Sequence, residues 1–379
     1  MPSAKVYSAL VTLSDPATRP ADPAAFQLNG REVDSLLKLA DRHTVLPAVL
    51  ANLKKIIETG ASATSVEPKT KSKCSGGTPK RPYAWGCGHD DHPQTKQPFG
   101  GATQRESYER YLGWADSQIL LRIGLTLALR RQLSQIGAAL AARNLPACVL
   151  KGAEFADRLY PSPALRPFTD IDLLVPETAR GEVEKVMAGL GYQPQIAAMK
   201  HATGYGEQSW RPPTAVGGTV EVHWNLVNSP TLRRRVSVRF EDLRLDSAGP
   251  AASWGLPRPD GSSLLLIAAV HAAASHCFDR LQMLWDVCQS ARSAAGPLDE
   301  AWLADAARRT GGRLAMATAL HLVDRVLGEP AAGRLLDRLS LGRPSLLVRS
   351  LLTRSVILRG HAGRDSIRRQ IFRERLKRT

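Results

Sequence analysis

The sequence predicts an α+β protein in which a short run of strands sits between two helical regions. Three observations carry this. Apolar residues recur at helical spacing on both flanks of the chain. Strand-like apolar runs are confined to about Pro146–Leu226. Between them and the N-terminal helices, the composition shifts to Ser, Thr, Lys, Gly and Pro with no apolar period. At 379 residues and 43% apolar content, the chain can bury a sizeable core and divide it among more than one unit.

Residues 1–58 form an N-terminal helical region, clearest in "GREVDSLLKLADRHTVLPAVLANLKKIIE". There Leu36, Leu37, Leu39, Leu46, Val49 and Leu50 follow a helical period, and Pro47 breaks or begins a helix. Residues 59–105 read as a flexible, low-complexity insertion. A helical region of 106–145 follows, long and amphipathic. The α/β core is placed at 146–250. Its strands are "PACVLKG", "TDIDLLVP" and "GGTVEVHWNL", the last opened by two glycines. Its helices are "AEFADRLY" and "ETARGEVEKVMAGLGY", the second with acids near its start and Gly191 near its end. Residues 251–379 are a C-terminal helical region ending in the basic tail "RRQIFRERLKRT".

Lys and Arg outnumber Asp and Glu by 51 to 35, a formal charge of +16. That surplus favours polyanionic partners, and the tail reads either as a solvated helix end or as a surface for nucleic acid. The cysteines, Cys74, Cys87, Cys148, Cys277 and Cys288, are odd in number in a chain of this size. A disulfide framework is therefore not expected, and a reducing, cytoplasmic compartment is. The N-terminus shows no secretory pattern, and "LLLIAAVHAAA" is too short for a transmembrane segment. Cys74, Cys87, His89 and His92 fall close together, but Cys-x12-Cys-x-His-x2-His lacks a C-x2-C knuckle. The stretch reads as a loop rather than a zinc site.

The chemistry concentrates in "RPFTDIDLLVP". On a strand, Asp170 and Asp172 project to one face and Ile171 to the other. Two carboxylates about 7 Å apart repel, and a divalent cation shared with substrate phosphates is the natural compensation. By the same parity Glu221 and His223 share a face, with Val220, Val222 and Trp224 opposite. If the two strands are neighbours, Glu221 supplies a third carboxylate.

These segments, with "VLKGAEFADRLYPSPALRPFTDIDLLVP", "VEVHWNL" and "AAVHAAASHCFDRLQMLWDV" in order, resemble a family of uncharacterised bacterial nucleotidyltransferases within the polymerase-β-like superfamily. The resemblance spans about Gln104 to Ala295. It implies a small mixed β-sheet with helices on one side. It also implies Mg²⁺- or Mn²⁺-dependent transfer of a nucleoside monophosphate from an NTP such as ATP to a hydroxyl-bearing acceptor. Asp170 and Asp172 match the paired metal-binding carboxylates, and Glu221 matches the third, which helps activate the acceptor. Lys151 and Gly152 fall at the superfamily's glycine-serine turn, which holds the nucleotide's phosphates. Ala153 offers no hydroxyl there, so phosphate contact falls to backbone N–H groups and Lys151.

Arg166, four residues before Asp170, is placed to reach a phosphate; the plainer reading is a surface arginine in a Pro-flanked turn. His223 is an acceptor-side or supporting candidate. His271 and Asp286 are candidate nucleotide or structural contacts, and the plainer reading of His271, inside an apolar run, is a hydrogen-bonded core histidine. His271 and His276, about 140° apart on an α-helix, are poorly spaced for one metal. The alternative to an enzyme is a non-catalytic module that binds nucleotide or nucleic acid.

Overall fold

A computed structural model describes residues 2–17, 28–62, 104–195, 204–214, 217–246, 254–360 and 366–378. The chain opens with helices α1 (Ala4–Leu13), α2 (Gly30–Arg42) and α3 (Leu46–Ser62). Asn29 and Glu32 cap α2 reciprocally, satisfying backbone donors that a helix start leaves open. Pro47 sits in the first turn of α3, where its missing N–H costs nothing. All six apolar positions that define the helical period here are buried. Helix α4 (Gln104–Ala141) follows. Thus α3 and α4 each reach into the stretch read as an insertion; the rest of it, with Cys74, Cys87, His89 and His92, lies outside the described residues.

Five strands form one mixed sheet: β1 (Cys148–Val149), β2 (Ile171–Leu174), β3 (Gln193–Pro194), β4 (Glu207–Arg211) and β5 (Val220–His223). Their order is β1-β2-β5-β4-β3. Only β2 and β5 run parallel; the other pairs are antiparallel. The sequence reading finds β1, β2 and β5 and misses β3 and β4. Helices α5 (Ala153–Arg158), α6 (Arg180–Gly189) and α7 (Pro230–Arg233) connect the strands. A two-stranded ribbon, β6 (Leu245–Asp246) with β7 (Arg258–Pro259), leads out of the core.

The faces of the sheet divide as strand parity requires. Ile171, Leu173, Val220 and Val222 pack with Leu129, Leu133, Ile136 and Leu140 of α4 and with Val183, Val186 and Met187 of α6. Helices therefore cover that face. At the start of β5, Gln132 of α4 both donates to Gly218 O (2.8 Å) and accepts from its N–H (3.0 Å). A Cβ on Gly218 would lie 2.5 Å from Thr169 O, so only glycine lets β5 run this close beside the approach to β2.

The C-terminal region is helical: α8 (Gly261–Val270), α9 (Leu281–Ala291), α10 (Glu300–Arg309), α11 (Arg313–Leu322), α12 (Pro330–Arg338), α13 (Leu346–Leu351), α14 (Arg354–Arg359) and α15 (Ile367–Leu376). Every residue of α8 is buried. It continues into a π-helical turn, His271–Ser275. One apolar cluster joins these helices to α1, α2 and α3, from Val6 to Leu376. Among the described residues, no helix is long and apolar enough to cross a membrane.

Candidate active site

The polar ends of β2, β4 and β5 open onto a cleft of about 710 Å³. Asp172 and Glu221 are register partners in the parallel β2–β5 pair, so both carboxylates leave the sheet on one face. Glu207 of β4 is the partner of His223 on β5 and joins the same patch. Asp170 lies in the bend just before β2 and also lines the cleft.

Two cations are threaded through these acids. Lys151 Nζ lies 2.7 Å from Asp172 Oδ1. Burial would lower its pKa, but Asp172, Asp170 and Glu221 outweigh that and hold it above the usual lysine value. The His223 ring is buried, with Nε2 at 3.2 Å from Asp172 Oδ1 and 3.5 Å from Glu221 Oε2, and Nδ1 at 3.2 Å from Glu207 Oε2. Burial opposes its charging; hydrogen bonds to Asp172 and Glu221 with the field of Glu207 prevail and push it up to about 10. The like charge of Asp172, with burial, raises the Asp170 carboxyl. Burial raises that of Glu207. Glu221 moves the other way, since His223 and Lys151 more than offset its burial.

Asp172, Glu221 and His223 each offer a ligand atom within 4.8 Å of the others. His223 thus stands inside the carboxylate cluster, whereas the sequence placed it only on the same face as Glu221. Asp172 Oδ2 is buried without a hydrogen-bond partner among the described residues. An orphaned carboxylate oxygen beside two further acids is the chemistry that accepts a divalent cation, and the oxygen-rich donors suit Mg²⁺ or Mn²⁺.

Arg166 is not at the surface, although it lines the cleft together with Gly152 and Asp170. It is buried, and its Nε and Nη2 donate to the two oxygens of Asp286 on α9, both at 2.8 Å. Its Nη1 donates to Gly152 O at 3.2 Å. The Tyr160 hydroxyl donates to Asp286 Oδ1 at 2.8 Å, completing the network. Arg166 and Asp286 therefore tie α9 to the turn at Gly152. That turn needs glycine: its φ is +56°, and a Cβ would meet Asp170 O at 3.4 Å and Phe168 at 3.5 Å.

His271 is buried and lines the cleft. Burial, with Lys151, His276 and Arg166 nearby, holds its imidazole well below the usual value. The expected 140° between His271 and His276 does not hold, because the intervening turn is π-helical. The wider turn narrows that separation, and the two rings meet edge-on at 4.8 Å. Glu207 escaped the sequence reading altogether; its signal was the short alternation of "EQSW" before two prolines.

The parallel pair β2–β5 thus presents facing carboxylates to an open cleft on a small mixed sheet. A family profile described as uncharacterised nucleotidyltransferase matches residues 121–328, and the chain belongs to that family. No curated protein shows significant similarity to it. Among solved structures, the solution structure of the antibiotic-resistance factor ANT(2'')-Ia is similar over 54% of this chain and 97% of that one, with 17% identity and a TM-score of 0.31. A likeness that loose adds nothing to the family assignment.

Proposed function

We propose that the protein is a metal-dependent nucleotidyltransferase that moves a nucleoside monophosphate from an NTP to a hydroxyl-bearing acceptor and releases pyrophosphate. The observation that carries this is the pairing of Asp172 with Glu221 across parallel strands, with Asp172 Oδ2 buried and unpartnered among the described residues. Asp170, Asp172 and Glu221 would hold the cation, and His223 would steady Asp172 and Glu221 from between them. A bound Mg²⁺ or Mn²⁺ would neutralise phosphate charge and lower the acceptor hydroxyl's pKa.

The acceptor oxygen forms a bond to the α-phosphorus as the bond to the bridging oxygen breaks. Pyrophosphate leaves with the electron pair, and Glu221 takes the acceptor's proton. Lys151 offsets the acids' mutual repulsion and would meet the incoming α-phosphate. Gly152 lets that phosphate approach the backbone. Arg166 and Asp286 serve by holding the Gly152 turn rather than by touching phosphate. Most of the rate gain is positioning and electrostatic stabilisation. A cleft of about 710 Å³ accommodates a nucleotide together with an acceptor such as a sugar, small molecule, peptide or RNA end.

The test is pyrophosphate release from each NTP with Mg²⁺ and a panel of hydroxyl acceptors. Asp172→Asn and Glu221→Gln should each lower turnover at least about a hundredfold while far-UV circular dichroism stays unchanged. Full activity in either variant refutes the assignment. Nucleotide binding by the wild type without turnover on any acceptor would leave the binding-module reading instead.

A further inference from the structure

The two cations that the sequence offers for phosphate are both engaged. Lys151 is held by Asp172 at 2.7 Å, and Arg166 by Asp286 at 2.8 Å. The turn they flank has no hydroxyl at Ala153, and the helix behind it, α5, is a single short segment of six residues. A nucleotide seated against the acids would thus lack a holder for its β- and γ-phosphates at that end.

A second wall of the same cleft supplies cations. Arg280 at the start of α9, Arg373 on α15 and Lys377 at the end of α15 all line it. Arg369, Arg373 and Lys377 are spaced by four, which puts them on one face of α15. Arg369 anchors that face: it is fully buried and donates to Cys277 O (3.2 Å) and Phe278 O (3.5 Å). The anchored turn follows directly on the π-helical segment that lines the cleft. Arg373 then reaches the carbonyl of Ser275 at 3.5 Å and has no carboxylate within ion-pair distance among the described residues. Its buried Nε has no hydrogen-bond partner among them. Lys377 pairs with Glu374 at 2.6 Å, a solvent-exposed pair that is worth little. Arg280 stands 3.8 Å from Asp279. Neither Glu374 nor Asp279 lines the cleft. This wall therefore presents positive charge, while the sheet presents negative charge.

We infer that Arg280, Arg373 and Lys377 form a polyphosphate subsite that holds the β- and γ-phosphates of the donor nucleotide. The inference rests on the reading of the cleft as a nucleotidyltransferase site. It gives part of the basic C-terminal tail an inward role: two of its cations face the cleft.

The experiment is calorimetric binding of inorganic tripolyphosphate, ATP and adenosine to the full chain with saturating Mg²⁺. Tripolyphosphate undergoes no transfer, so the readout is independent of turnover. The variants are Arg373→Gln/Lys377→Gln and, on the outward face of the same helix, Arg368→Gln/Arg378→Gln, which removes equal charge. Both outer arginines are exposed and stand apart from the cleft lining. The cleft-facing pair should weaken tripolyphosphate and ATP at least about tenfold and leave adenosine unchanged, with the outer pair at wild-type affinity.

Lys377→Gln alone, which removes only a solvent-exposed ion pair with Glu374, should show a smaller loss of the same kind and guards against misfolding of the double variant. Equal losses in both pairs, or none in either, overturn the subsite. Loss for tripolyphosphate but not for ATP overturns its assignment to the donor. If the wild type releases no pyrophosphate yet shows this binding pattern, the transfer reading fails while the subsite stands.

Discussion

Asp172 divides its two oxygens between different surroundings. Oδ1 is met by Lys151 and His223, whereas Oδ2 is buried and meets no donor among the described residues. Leaving such an oxygen unpaired costs about 1–3 kcal/mol or more, so a bound cation should stabilise the fold directly. Mg²⁺ or Mn²⁺ at about a hundredfold over its dissociation constant is expected to add roughly 2.7 kcal/mol, read as a rise in Tm. Asp172→Asn, which removes the charge but keeps the shape, should abolish that rise. A variant that keeps the full metal-induced shift would place the cation elsewhere.

At this scale much was legible in the sequence. Side-chain parity alone puts Asp172 on one face of its strand and Glu221 with His223 on one face of another. Parity does not say where a ring points along that face, so the insertion of His223 among the acids was not readable. Nor was Glu207 read, since the "EQSW" alternation is short and carries a single large apolar residue before two prolines.

Helix α15 and the turn it grips show what periodicity hides. Cys277 and Phe278 both adopt left-handed backbone, with φ of 48° and 57°, which residues other than glycine rarely do. Arg369 donates to both of their carbonyls and, at 3.4 Å, to that of Val356. Its hydrogen-bond partners among the described residues are backbone oxygens, two of them buried, so truncation would strand those two acceptors and open a cavity as well. Arg369→Met should therefore destabilise the protein by about 3 kcal/mol in urea unfolding. It should also weaken tripolyphosphate binding, since Arg373 loses its footing. Wild-type stability in this variant would show that the turn is held by something else.

The helices themselves were readable from their apolar spacing, with which the cap at Asn29 and Glu32 agrees. The π-helical turn before this site was not. "VHAAASH" has no feature that separates i→i+4 from i→i+5 bonding, and the wider turn is packed against α9, α11 and α15, the last two far from it in sequence.

Across the whole molecule, one apolar cluster draws residues from both ends of the chain into a common core, and His43 is a polar rivet through it. The residue lies at the C-terminal end of α2 and is fully buried. Its Nδ1 accepts from the Leu281 N–H (3.2 Å) at the start of α9, so its Nε2 carries the proton given to Leu358 O (3.1 Å) in α14. The ring thereby joins three segments that lie far apart in sequence, and it can do so only when neutral. A second proton would have to sit on Nδ1, against a backbone donor.

Burial pushes its pKa down to about 4 despite the bond to Leu358, against 6.5 when unfolded. The unfolded chain therefore takes up the proton first. This contribution to stability is complete above about pH 6.5 and is lost as pH falls toward 4, with a total on the order of 3 kcal/mol. His43→Gln cannot titrate here; it should be less stable at pH 7, yet lose less on acidification. The measurement is the unfolding free energy in urea at pH 7 and pH 4.5 for both proteins. The wild type should drop by more than the variant, by about 2 kcal/mol or more. Parallel pH dependence in the two would show that the three segments are not held together through an uncharged His43.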